Sequence, residues 1–254
     1  MQNKRGLSGS TLKIIAMISM LIDHAAYTVL GMILVRNGIT SVKNCSPEYI
    51  ASMIESGSIG WVYLGYQILR KVLGRLAFPI FCFLLVEGFE KTRSRSRYAL
   101  RLFLFALISE IPFDLLFSLN PVSWKNQNVF FTLLIGFLTM WGIEKIEEQS
   151  RDLETQWCLQ VLLVMAAGFL AEKISCDYGA YGIIAIGLFY LFRGNRPLQI
   201  FLGCGSFCWE WPACFACIPL SFYNGKRGLN LKYVFYAFYP VHLLVLFLIR
   251  WYCF

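Results

Sequence analysis

The sequence predicts an all-α fold, a polytopic bundle of eight to ten membrane-spanning helices forming a single domain over residues 1–254. Three observations carry that expectation. First, the chain is 57% hydrophobic and 17% aromatic but only 15% charged, too few charges to cover a soluble surface. Second, apolar runs of about bilayer length follow one another along the whole chain, with no polar stretch long enough for a separate soluble domain. Third, the charge of +8 is gathered at the ends of those runs, where Lys and Arg act as topology signals and meet anionic lipid. That placement, rather than a solvated basic face, argues against a nucleic-acid partner and for the lipid bilayer.

The first apolar run, Thr11 to Val35, is as long as a bilayer requires and lacks a small-residue cleavage site, so it is expected to stay as helix one, with no cleavable signal peptide. A polar segment from Arg36 to Gly57 follows. Residues 59–70 read as either an interfacial helix or a short span, and Leu73 to Phe89 as a clear span. The loop containing Lys91, Arg93, Arg95 and Arg97 is cytoplasmic by the positive-inside rule, which also places the N-terminus inside a plasma membrane. Tyr98 to Leu119, Val129 to Ile146, Gln156 to Ile174 and Tyr178 to Phe192 follow as further spans. Residues 197–222 fit one tilted helix or a hairpin broken at Glu210-Trp211-Pro212, and the basic tract beyond them favours the hairpin. Tyr233 to Tyr252 is the last span. No internal repeat announces a secondary transporter.

Only two histidines are present, and both lie inside apolar runs: His24 in Leu21-Ile22-Asp23-His24-Ala25, and His242 in Tyr239-Pro240-Val241-His242. Ionisable groups at that depth are costly and usually functional. Lys13 lies eleven residues before His24; at 1.5 Å and 100° per residue the two share a helix face about 16 Å apart. A carrier with phosphates at the interface and a long arm reaching inward would use that arrangement. A snorkelling lysine and a histidine satisfied at a helix contact would give the same pattern. Asp23 points about 100° away from His24 and is expected to pair with Arg75 or another cation. Tyr239 and His242 read either as a second relay or as groups satisfying backbone opened by Pro240.

Glu87, Glu110 and Asp114 are further carboxylates in apolar surroundings, with Arg75 and Arg101 their candidate partners. The loop Asn224-Gly225-Lys226-Arg227-Gly228 is a candidate anion cradle, since flanking glycines let backbone amides approach a phosphate. Nine cysteines, an odd number mostly in apolar segments, read as packing residues rather than a disulfide framework or metal centre. No phosphate loop of the nucleotide-hydrolysing kind is present.

Several ordered blocks carry a resemblance: Leu12-Lys13-Ile14-Ile15-Ala16-Met17 with Leu21-Ile22-Asp23-His24; Gly74-Arg75-Leu76-Ala77-Phe78-Pro79; Ser109-Glu110-Ile111-Pro112-Phe113-Asp114; Asn128-Val129-Phe130-Phe131-Thr132; Asp177-Tyr178-Gly179; Asn224-Gly225-Lys226-Arg227-Gly228; and Tyr236-x2-Tyr239-Pro240-x-His242. Over nearly its whole length the chain resembles the TraX family, membrane proteins named for N-terminal acetylation of conjugative pilin. The basic-x10-His spacing is also similar to that of large membrane acyltransferases acting on surface sugars.

The resemblance implies transfer of an acetyl group from cytoplasmic acetyl-CoA to a hydroxyl or amine of an envelope or exported acceptor: a pilin N-terminus, a peptide or a surface glycan. On that reading His24 is the base, with Asp23, His242 and Tyr239 as the other catalytic candidates. Lys13, Arg75, Arg93, Arg97, Arg101, Asn224, Lys226 and Arg227 are candidates for holding the carrier, arginine suiting phosphates through bidentate contacts. Glu87, Glu110, Asp114 and Asp177 are supporting, and no metal is implied. A permease and a membrane assembly factor for pilin are the alternatives.

Overall fold

The computed structural model describes residues 6–39, 46–150, 152–230 and 232–254. Among them it is a helical bundle without strands. Its helices are α1 (Gly9–Arg36), α2 (Pro47–Ser56), α3 (Ile59–Lys91), α4 (Arg95–Ser118), α5 (Val129–Gln149), α6 (Leu153–Lys173), α7 (Gly179–Leu191), α8 (Arg196–Gly205), α9 (Cys217–Ser221) and α10 (Lys232–Cys253). Polar N-caps set most starts. The side chains of Ser8, Ser46, Ser94, Asn128, Asp152 and Asn195 each accept a hydrogen bond from an amide of the first turn, supplying donors that the helix itself leaves unpaired.

Ion pairs and loop contacts define the two ends of the bundle. At the basic end Arg95 meets Glu144 at 2.7 Å, Arg193 meets Glu147 at 2.7 Å, and Arg196 meets Glu87 at 2.7 Å. At the opposite end Arg36 donates to the Phe254 carbonyl at 2.6 Å, and the Gln127 amide donates to the Ser175 carbonyl at 2.9 Å.

Among the described residues five helices are long and apolar enough to cross a membrane, α1, α3, α5, α6 and α10, with α7 a shorter apolar helix. The expected eight to ten spans are therefore too many, for three reasons. Residues 59–70 are not a separate span but the first part of α3. The 24-residue α4 carries Arg95, Arg97, Arg101, Glu110 and Asp114, which dilute its apolar character. Residues 197–222 do not cross: α8 enters from the basic end at Arg196, a 3-10 segment from Cys208 to Ala216 turns the chain at Glu210 (φ −127°, ψ 60°) and Pro212, and α9 returns it. The return is fixed where Phe222 and Lys226 carbonyls each accept from the amides of Leu7 and Gly9 at 2.8 Å.

Two π-helical turns interrupt the long helices. One, Ala26–Leu30, follows His24 in α1; the other, Leu69–Leu73, precedes a 3-10 turn at Gly74–Leu76 in α3. Such turns shift the register of every side chain beyond them and recur at functional sites. The two helices touch there. A Cβ on Gly74 would lie 2.6 Å from that of Asp23, and the Ser19 hydroxyl donates to the Leu73 carbonyl at 2.5 Å. Ion-pair and packing contacts of this kind replace the hydrophobic drive that lipid tails remove.

The core is aromatic. Phe83, Phe89, Phe137, Phe189 and Phe207 are fully buried with Leu12 and Met140, and small residues let the helices close on them. Gly203 of α8 lies directly against the Phe189 ring, whereas Gly205, one turn position on, faces open space. Gly203→Ala should therefore overpack the core and destabilise the protein by about 1–3 kcal/mol. Gly205→Ala should leave stability unchanged or slightly raised. Thermal unfolding in detergent of the two variants beside the parent checks this, and equal midpoints for both would refute it.

Candidate active site

A histidine pair joins the first and last helices. His24 Nδ1 lies 2.8 Å from His242 Nε2, with the rings coplanar to 2°, and His242 Nδ1 lies 2.8 Å from the Phe238 carbonyl oxygen. A carbonyl only accepts, so His242 carries its proton on Nδ1 and presents a bare Nε2. His24 must then donate from Nδ1, which leaves its own Nε2 without a proton. The chain of two bonds thus sets the tautomer of His24 as that of a base. Phe117 packs edge-on to His24 at 5.5 Å, and Phe238 stacks on His242 at 4.7 Å.

Two neighbouring spaces lie near His24, which borders the smaller of them. The larger cavity has a volume of about 420 Å³, in the range of small-molecule sites. Its mouth, at the basic end, is lined by Lys13, Lys91, Arg101 and Arg227 together with Glu87 and Tyr223. Gly9, Lys13, Met17 and Met20 line its α1 side at steps of four, four and three residues, the stripe one helix face presents. The smaller chamber, about 40 Å³, is bordered by Asp23, His24, Gly74, Ala77, Phe78, Asp177 and Tyr178. Met20, Phe81, Val129 and Tyr239 border both spaces, so the two are neighbours that share these walls.

The mouth is built from long cations held by aromatic faces. Lys13 Nζ sits 5.0 Å over the Phe235 ring, and Arg101 lies 5.3 Å over Tyr98. Lys91 Nζ donates to Glu87 at 2.6 Å, and to the Tyr223 hydroxyl and Gly225 carbonyl at 3.1 Å each. Burial raises the Tyr223 hydroxyl above its ordinary range, so it remains a neutral donor to Glu87, 3.1 Å away.

Asp23 was expected to pair with Arg75 or another cation, and another cation is the one it meets. Asp23 meets Arg70 at 3.8 Å rather than Arg75, because the π turn of α3 brings Arg70 to it, where it also lies over the rings of Tyr27 and Tyr66. Arg75 instead meets Glu210, at the tip of the hairpin, at 2.9 Å and lies beside Tyr178. It therefore stands near the small chamber, away from the basic mouth where it was expected to hold a carrier. Arg70 and Glu210 are the two site residues that sequence reasoning missed. Glu210 carried a signal all the same, since a carboxylate at the turn of a membrane-embedded hairpin requires a cation.

Other candidates are dispersed. Lys13, Arg101, Arg227 and Glu87 line the mouth, while Arg93 and Arg97 are exposed and do not. Asn224 and Lys226 do not line it either: the Asn224 amide donates to the Gly6 carbonyl at 3.0 Å, and its oxygen accepts from the Lys226 amide at 2.9 Å. The loop expected to cradle an anion instead fastens the start of α1, with Gly225 and Gly228 at φ of 77° and 75°. Glu110 and Asp114 take no arginine. Glu110 accepts from the Asn128 side chain, and Asp114 accepts from the Ser123 amide at 2.6 Å, which serves the turn into α5. Among the described residues no three His, Cys, Asp or Glu gather to hold a metal.

A family model described as TraX protein matches residues 8–250. The chain is also 30% identical over 269 residues to the probable fimbrial assembly protein FimC, serogroup H1, of Dichelobacter nodosus, a match covering 94% of each protein. No solved structure matches it. The blocks that contain His24, Gly74, Asn128 and His242 all lie within the matched range, and the chain belongs to the TraX family.

Proposed function

We propose that the protein is an acetyltransferase of the plasma membrane, moving an acetyl group from cytoplasmic acetyl-CoA to a hydroxyl or amine of an envelope or exported acceptor. One observation carries the reading: a cavity with four cations at its mouth adjoins, through shared wall residues, a small chamber bordered by a histidine whose Nε2 is bare. The basic end faces the cytoplasm by the positive-inside rule. Lys13, Lys91, Arg101 and Arg227 take the phosphates of the carrier, and the arm follows the methionine stripe toward His24.

The reaction follows from the tautomer. His24 Nε2 takes the proton of the acceptor as its oxygen or nitrogen attacks the thioester carbonyl, and His242 steadies the resulting imidazolium through Nε2. Collapse breaks the carbon–sulfur bond, and the thiolate recovers the proton as free coenzyme A. A neutral imidazole suffices because a thioester needs only an aligned nucleophile. Pilin and fimbrial subunits are acceptors consistent with the family and with the relative's name.

A second reading, a membrane factor for fimbrial assembly without catalysis, is favoured by the name of that same relative. The two separate cleanly. With labelled acetyl-CoA in a membrane extract, His24→Ala should lower transfer by about 10²–10⁴-fold while carrier binding persists. His242→Ala should cost less, since it frees the His24 tautomer without removing the base. Full activity in His24→Ala, or no thiol release by the parent, would refute catalysis and favour the assembly factor.

The mouth makes a separate expectation. Lys13→Ala and Arg227→Ala should each raise KM for acetyl-CoA by about ten- to a hundredfold, the worth of a charged hydrogen bond, with kcat nearly unchanged. Arg93→Ala should leave KM near the parental value. Steady-state kinetics at fixed ionic strength tests the contrast, and equal KM values across the three would remove the mouth from carrier binding.

A further inference from the structure

The larger cavity opens at the basic mouth beside the chamber that His24 borders, and on the reading above the carrier fills it. A second substrate then needs another approach. The small chamber borders His24, and two of its wall residues stand at the end of the bundle opposite the basic mouth. Asp177 and Tyr178 both border the chamber, yet Asp177 is exposed and Tyr178 is half-buried.

The closure itself is a ring. Tyr178 stacks on Phe78 with centroids 3.7 Å apart and planes 8° from parallel, and Phe207 of the hairpin backs Phe78 edge-on at 5.8 Å. The backbone beneath it is strained, with Tyr178 at φ 64° and Ser175 at φ 55°, a region that crowds Cβ against the carbonyl. The flanks are fastened firmly. Asp177 donates from its amide to Gln127 at 2.9 Å, its carbonyl accepts from Thr132, and the Ala180 amide donates to Glu172 at 2.8 Å. The Tyr178 ring itself is held by side-chain contacts, its stack on Phe78 and a hydrogen bond with Arg75.

We propose that the stacked rings of Tyr178 and Phe78 are the acceptor's port, a closed door between the small chamber and the face opposite the basic mouth. This rests on the acetyl-CoA reading. A chamber of about 40 Å³ holds only a few heavy atoms. The acceptor therefore inserts its nucleophilic end alone, past the polar groups of Asp177, Arg75 and Glu210, while the rest of a long molecule stays outside. The closed ring also keeps water from the thioester. With the ring removed, water attacks the carbonyl carbon, the carbon–sulfur bond breaks, acetate leaves, and His24 passes the proton of water to the thiolate.

Two measurements test the port. Purified Tyr178→Ala and Phe78→Leu, given acetyl-CoA and no acceptor, should release free thiol severalfold faster than the parent, and adding His24→Ala should abolish the gain. Tyr181→Ala, an exposed ring three residues on, should not raise it. Variants that bind acetyl-CoA as the parent does but release thiol no faster would overturn the proposal. The second measurement needs no donor. A cysteine placed by Ala77→Cys in the chamber wall should react with a membrane-impermeant methanethiosulfonate from the face opposite the basic mouth only when Tyr178→Ala is present, read by site-resolved mass spectrometry. Equal labelling with and without Tyr178→Ala would overturn the port whatever becomes of the donor. A labelling gain in protein that binds no acetyl-CoA would keep the port and sink the acetyl-CoA reading.

Discussion

The close approach of α1 to α3 at Gly74 is the contact on which the site depends. Only a residue without Cβ allows Asp23 so near the α3 backbone, since an added carbon would lie 2.6 Å from the Cβ of Asp23. The approach brings two interrupted helices together at their π and 3-10 turns, where carbonyls are displaced from the regular ladder and seek other donors such as the Ser19 hydroxyl. It also decides which charges meet. Arg70 reaches Asp23, Arg75 is left to the hairpin, and His24 is turned to α10 rather than to its own neighbour.

Charge in an apolar medium demands a partner, and the hairpin supplies one. Its tip carries Glu210 to Arg75, and its entrance carries Arg196 to Glu87. Irregular backbone within a membrane is tolerated where protein covers it. The 3-10 segment meets that condition on one side, through the buried Pro212, Ala213 and Ala216, while Trp209, Trp211 and Phe215 face outward. Glu87 fastens the entrance and exit of the hairpin together, by Arg196 on one strand of the path and Tyr223 on the other.

What could be read from the sequence was whatever lies within one helix. Lys13, Met17 and Met20 fall on the face that leads to His24 because helical periodicity alone dictates it, and the structure lines one cavity with them. The all-helical class followed from composition, and the family from its ordered blocks. Pairings between helices were not legible. Asp23 was expected on Arg75 or another cation, and which cation it meets, Arg70, depends on a π turn whose register shift no residue pattern announces. The span count ran high because apolar length was its guide, while the hairpin favoured for residues 197–222 by the basic tract beyond them is present and turns at Glu210 and Pro212. The loop at Asn224 has the glycines of an anion cradle, yet the same left-handed turns serve to tie down the chain near Gly6.

The bond between His24 and His242 spans 218 positions of the chain. The first helix leaves the ribosome long before the last, and the backbone ties of Leu7 and Gly9 also await residues 222 and 226. Until α10 inserts, nothing fixes the His24 tautomer and nothing closes the basic mouth around a ligand. Formation of the histidine pair is thus among the last events of biosynthesis.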